Sequence, residues 1–204
     1  MEPLLPECYF HIYNHTIGDE LVFKEEKNYV FFLEKYKQYI VPIADTLAFC
    51  LMPNHFHLLI RLKEQTVIET LILSSAKGLN DYSVADSIEK REVLASKYVS
   101  KQFSNLFSSY TQAYNLMYKR RGSLFLKNFK RKSVEEDDYF VRLVNYIHRN
   151  PVNHGFINKP QEWKHSSYNA IVSDKPTLVK REEVLHWFGG LANFMYNHLR
   201  SLEL

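Results

Sequence analysis

Residues 43–52 and 55–62 form two apolar runs with only Pro53-Asn54 between them. Both are of strand length and a Pro-Asn pair is a turn signal, so the spacing predicts a β-hairpin across Pro53-Asn54. An isolated hairpin is not stable in water, so the rest of the chain must supply further strands and a covering layer of helices. Residues 8–13, Cys-Tyr-Phe-His-Ile-Tyr, are rich in aromatic residues, end at Asn14 and read as a first strand; residues 131–134 read as a short one. Apolar positions recur with helical period at Val30, Phe31, Leu33 and Tyr36, and Pro42 stops that helix. The same period runs through Leu106, Phe107, Tyr110, Tyr114, Met117 and Tyr118. A third helix, capped by Asp137 or Asp138, carries the stripe Phe140, Leu143, Val144 and Ile147, and Pro151 is expected to end it at Asn150.

Residues 66–73 are helix-like, and the polar stretch 81–101 reads as an inserted loop or an exposed helix without an assigned role. Helical patterns at 181–188 and 191–202 are separated by Gly189-Gly190. The order β-α-β-β-α-β-α predicts an α+β fold: a ferredoxin-like or RRM-like antiparallel sheet with packed helices and a C-terminal helical extension. The expected division is one domain over residues 1–172 and the extension over 173–204. A chain of 204 residues has room for one core, and 26 Lys+Arg against 23 Asp+Glu exclude a disordered or collagenous protein. Cys8 and Cys50 are the only cysteines, no 18-residue apolar span occurs and the first residues lack a signal-peptide pattern, so a cytoplasmic protein with no membrane segment is expected.

On a strand, His55 and His57 point to one face and Phe56 to the other, so two imidazoles can meet one ion. They could equally line a polar sheet face. Tyr146 and Asn150, four apart on the third helix, share a side, with Arg142 one turn earlier. A phenol can act as a nucleophile if a cation and a polarised electrophile are near, and two imidazoles with an amide oxygen would leave open positions on Mg²⁺ or Mn²⁺ for a phosphate oxygen. The bland alternatives are a tyrosine half buried at a helix edge and an asparagine selected by the proline after it. Residues 119–132 hold seven basic side chains and no acidic one, among them Arg120, Arg121, Lys127, Lys130, Arg131 and Lys132, interleaved with Leu124, Phe125, Leu126 and Phe129. That run suits a nucleic-acid surface, or a solvated loop balanced by the acidic residues 135–138.

Five blocks in order resemble the single-tyrosine HUH transposases, and within them the REP-associated tyrosine transposases. They are Met52-Pro53-Asn54-His55-Phe56-His57-Leu58-Leu59-Ile60, Tyr110-Thr111-Gln112-Ala113-Tyr114-Asn115, Gly122-Ser123-Leu124-Phe125 with Phe129-Lys130, residues 145–155 from Asn145-Tyr146 to His154-Gly155, and Trp163-Lys164-His165-Ser166-Ser167-Tyr168. The resemblance implies a metal-dependent single-stranded-DNA endonuclease and strand transferase acting on hairpin-containing DNA. It implies Tyr146 as the nucleophile that forms a 5′-phosphotyrosine, His55 and His57 as metal ligands, and Asn150 as a further ligand, a position where other members carry a different residue. It leaves open a homodimer that exchanges the tyrosine helix. The alternative is a domesticated protein that binds structured single-stranded nucleic acid without transposing it. His11 and His15 could approach His55 if the first strand pairs with its strand.

Overall fold

The computed structural model describes residues 2–74, 82 and 87–200. Its elements follow the expected order: β1 (Tyr9–His15), α1 (Glu26–Tyr39), β2 (Ala44–Met52), β3 (His55–Leu62), α2 (Gln65–Leu73), α3 (Ile88–Met117), β4 (Lys130–Val134), α4 (Asp137–Asn153), then α5 (Tyr168–Val172), α6 (Arg181–Trp187) and α7 (Leu191–His198). The four strands make one antiparallel sheet in the order β2-β3-β1-β4, with the hairpin turning at Pro53-Asn54. This is the mixed α+β, ferredoxin-like arrangement.

The two-residue period of the strands sorts the sheet into two cores. Phe56, Leu58, Ile60 and Leu62 of β3, with Phe10 and Ile12 of β1, pack under α1 and α3. Leu59, with Ala48, Cys50 and Met52 of β2, packs under α4, whose stripe of Phe140, Leu143, Val144 and Ile147 is buried as its spacing predicts. Val184, Phe188 and Phe194 of α6 and α7 join that second core. Each fully buried side chain of this kind contributes ~1.5–3 kcal/mol, so both faces of the central strands are fixed by burial. The outer edge of β2 is covered by returning chain, through Leu51 N to His165 O (2.9 Å), Ser167 N to Phe49 O (2.9 Å) and Lys180 N to Thr46 O (2.8 Å).

Three local expectations need correction. Helix α3 is 30 residues long, because Ala95 and Val99 continue the buried stripe of Phe103, Leu106, Tyr110 and Tyr114 back into the polar stretch; residues 81 and 83–86 of that stretch lie outside the described residues. The N-cap of α4 is Glu136, without a side-chain cap bond. Helix α4 also continues through Pro151 to Asn153. A proline in the last turn forfeits only the bond its own N–H would have made to Ile147, while His154 N still reaches Asn150 O at 3.0 Å.

Candidate active site

The pairing of β1 with β3 sets His11 opposite Leu59, Tyr13 opposite His57 and His15 opposite His55. Cross-strand partners share a face, so His11, Tyr13, His15, His55 and His57 all lie on the face covered by α4. Helix α4 crosses that face with Tyr146 and Asn150 at i and i+4, and its C-cap residue His154 follows four positions on.

The five groups closest to the centre are shielded from solvent except for the phenol. His55, His57, His11 and Asn150 are buried, and Tyr146 is half-buried. The Tyr146 ring stands edge-on to His57 (centroids 5.3 Å, interplanar 79°) and to His11 (6.4 Å). Its hydroxyl makes no hydrogen bond to another described residue. His15 stacks on His55 at 4.5 Å, and the His154 ring lies 5.2 Å from it. The sequence-predicted His55, His57, Tyr146 and Asn150 are therefore brought together. His11, Tyr13, His15 and His154 join them, and the alternation of β1 and the helical spacing of α4 are the signals that could have named them.

Hydrogen bonding fixes which nitrogens are available. His55 Nδ1 lies 2.7 Å from Asn54 Oδ1, and His55 Nε2 lies 2.9 Å from Asn150 Oδ1. Burial pushes the His55 pKa down to about 4, so at neutral pH the ring carries a single proton. If Nδ1 donates that proton to Asn54, the Nε2 lone pair faces another lone pair, that of Asn150 Oδ1. Two acceptors hold that separation without repulsion when a cation lies against both. His57 shares a 2.9 Å hydrogen bond between its Nδ1 and His11 Nε2. An outer partner on Nδ1 is the usual way a ligating histidine is oriented through Nε2. Burial and the neighbouring imidazoles hold His57 well below the ordinary histidine range, and burial with Lys132 brings His11 to about 4; neutral rings are what ligation requires. Among the described residues no group of three or more His, Cys, Asp or Glu side chains is gathered to hold a metal unaided. The donor set here is two imidazoles and an amide oxygen, which suits an ion that keeps open positions.

These depressed values predict acid sensitivity. A buried histidine with a folded pKa of about 4 and an unfolded value near 6.5 binds fewer protons folded than unfolded between those limits, so its contribution is present above 6.5 and lost as pH falls toward 4. The melting temperature of the metal-free protein should fall steadily from pH 6.5 to 4.5. A flat profile over that window would show that His11 and His55 are not held neutral.

The basic run is divided by the sheet. Lys130 and Lys132 pair with Tyr13 and His11 and so share the histidine face; Lys132 lies 4.4 Å over the Tyr139 ring. Arg131 points the other way, to Ser100 Oγ (3.0 Å) and the face of Phe129. Arg121 and Lys127 are exposed. Arg120 is occupied by its surroundings: it is paired with Glu20 and donates to Asn115 Oδ1, Gly122 O and Ser123 O. A groove of about 640 Å³ lies on the α3 side of the sheet, lined by Ser104, Thr111, Phe107 and Arg131 among others, and does not include the histidines. No described helix is long and apolar enough to cross a membrane.

No protein-family model matches the chain. A putative REP-associated tyrosine transposase of Haemophilus influenzae is 25% identical over 128 residues, covering 63% of this chain and 61% of that protein, so the match spans less than two thirds of the relative's length. A solved structure described as a REP-associated tyrosine transposase bound to a REP hairpin shares the fold, with a TM-score of 0.54 over 86% of this chain and 87% of that one, at 14% identity. The chain is homologous to REP-associated tyrosine transposases.

Proposed function

We propose that this protein is a metal-dependent endonuclease and strand transferase for single-stranded, hairpin-containing DNA, with Tyr146 as nucleophile. One observation carries the proposal: the half-buried phenol of Tyr146, with no hydrogen bond to another described residue, stands against His57 on the face where His55 Nε2 and Asn150 Oδ1 lie 2.9 Å apart. His55, His57 and Asn150 would hold Mg²⁺ or Mn²⁺. The ion when bound would neutralise a phosphodiester and stabilise the departing oxygen. The Tyr146 oxygen attacks phosphorus, the bond to the 3′-oxygen breaks, and the products are a 5′-phosphotyrosine and a 3′-hydroxyl that takes up the proton. The reverse attack by a 3′-hydroxyl rejoins strands without a nucleotide cofactor. His11 orients His57, and the buried setting of the imidazoles excludes water from competing for their nitrogens. Homology to a putative REP-associated tyrosine transposase, and a fold shared with one whose structure holds a REP hairpin, support a DNA hairpin as the partner.

The test is covalent capture. End-labelled hairpin DNA with single-stranded flanks, incubated with the protein and Mn²⁺, should give an adduct that survives denaturing electrophoresis and disappears with chelator. Tight hairpin binding with no adduct under any metal would instead identify a binding protein that has lost the chemistry.

The two lysines on the histidine face are the residues of the basic run best disposed to meet the phosphates near Tyr146, with exposed Arg121, Lys127 and the partly exposed Arg131 as outlying contacts. Lys130→Ala and Lys132→Ala should each weaken hairpin binding at low salt and reduce the slope of log K against log salt by about one. Arg120→Ala should lower the melting temperature by breaking its loop contacts while leaving that slope unchanged. A reversed pattern would exclude this division of labour.

A further inference from the structure

The side of α4 turned away from the candidate site carries a second set of polar groups that the chemistry above does not use. Asn145 Nδ2 donates to Asn197 O at 2.7 Å, and Arg149 Nη1 donates to His198 O at 3.0 Å. Between them, His148 Nδ1 is 2.9 Å from His198 Nε2, and His148 Nε2 is 2.7 Å from Ser167 Oγ. His198 Nδ1 is 2.7 Å from Phe194 O, and Ser167 Oγ accepts from Phe49 N at 2.8 Å. His148, Ser167 and His198 are buried to within 1% of complete.

The chain of bonds has one direction. A carbonyl can only accept, so His198 Nδ1 carries its proton and Nε2 accepts from His148 Nδ1; His148 Nε2 then accepts from the Ser167 hydroxyl. Every link has one donor and one acceptor with both rings neutral, the state that burial favours. A relay of this kind is satisfied in only one relative placement of its three elements: α4, α7 and the loop that leads from the edge of β2 into α5.

That placement governs the phenol. At about 100° per residue, Asn145 and His148 sit more than a quarter-turn round α4 from both Tyr146 and Asn150, while Arg149 lies about 60° from Tyr146 on the flank between the two sets. The phenol oxygen lies roughly 9 Å from the helix axis, so rotating α4 by about 7° shifts it by ~1 Å, an error that costs on the order of 100-fold in a positioned reaction. We propose that His148 and His198 are positioning residues, and that the C-terminal helix α7 is a bracket fixing the rotation of α4 and so the stance of Tyr146 over His57. The effect on rate rests on Tyr146 being the nucleophile; the effect on placement does not.

The experiment compares the wild-type protein with H148Q, whose amide offers one donor and one acceptor in place of the two ring nitrogens, and with the paired variant H148L/H198L, which removes both rings together. Each is measured well below its own melting temperature, by nuclear Overhauser contacts between the Tyr146 and His57 rings, by affinity for labelled hairpin DNA, and by single-turnover adduct formation with Mn²⁺. The leucine pair should lose the ring contact and form adduct about 100-fold more slowly with hairpin affinity held within about two-fold, whereas H148Q should keep the contact and most of the rate. Wild-type contact and rate in the leucine pair would overturn the bracket, as would a loss of affinity matching the loss of rate. If no protein forms adduct and yet the leucine pair alone loses the ring contact, the nucleophile assignment falls and the bracket stands.

Discussion

Tyr146→Phe is expected to abolish the covalent protein–DNA adduct, by at least about 10³-fold, while leaving hairpin affinity unchanged. The substitution deletes one oxygen and keeps the ring that packs edge-on to His57 and His11. Because the hydroxyl makes no hydrogen bond to another described residue, removing it strands no buried partner and should not lower the melting temperature. A drop in adduct without a change in stability or binding is the signature of a lost nucleophile. Adduct formation by the phenylalanine variant at the wild-type rate would move the chemistry to another side chain.

His57→Ala is expected to have an effect of similar size by a different route. Changing an outer partner of a metal ligand typically costs 10–100-fold in metal affinity or activity, and removing the ligand itself should cost at least as much. Mn²⁺ should raise the melting temperature of the wild-type protein by mass action and should raise that of the variant far less. Hairpin binding should largely persist, since the phosphate contacts proposed for Lys130 and Lys132 would not depend on the imidazole. His11→Ala should behave as a milder copy, because it leaves His57 in place but removes its 2.9 Å partner. Equal cleavage and an equal metal-induced shift in the His57 variant would remove the metal from the mechanism.

Much of the fold was legible because its signals are local. The Pro53-Asn54 turn, the stripe from Phe140 to Ile147 and the two-residue period of β3 each follow from short-range geometry, and all three are met in the structure. The start of α3 was not legible: its first turns carry Glu89, Lys90, Arg91 and Glu92 on the solvent side, and only the tertiary burial of Ala95 and Val99 identifies their face. The passage of α4 through Pro151 is likewise a tertiary outcome, since local preference argues for a stop at Asn150. Within the site, His55, His57, Tyr146 and Asn150 could be singled out from spacing and resemblance. The contribution of His11 depends on β1 pairing in one register with β3, where a slip by one residue would turn its ring into the opposite core. Arg120 illustrates the limit of composition: a basic run does not reveal that one of its members is committed to Glu20, to Asn115 of α3 and to two loop carbonyls.

The phenol, both imidazoles of the His-x-His pair and the facing amide are all drawn from a single polypeptide, with α4 folded back over its own sheet. If each chain in solution keeps α4 on its own sheet, adduct formed per molecule should be insensitive to dilution; if two copies trade that helix, output per molecule should fall as the protein is diluted.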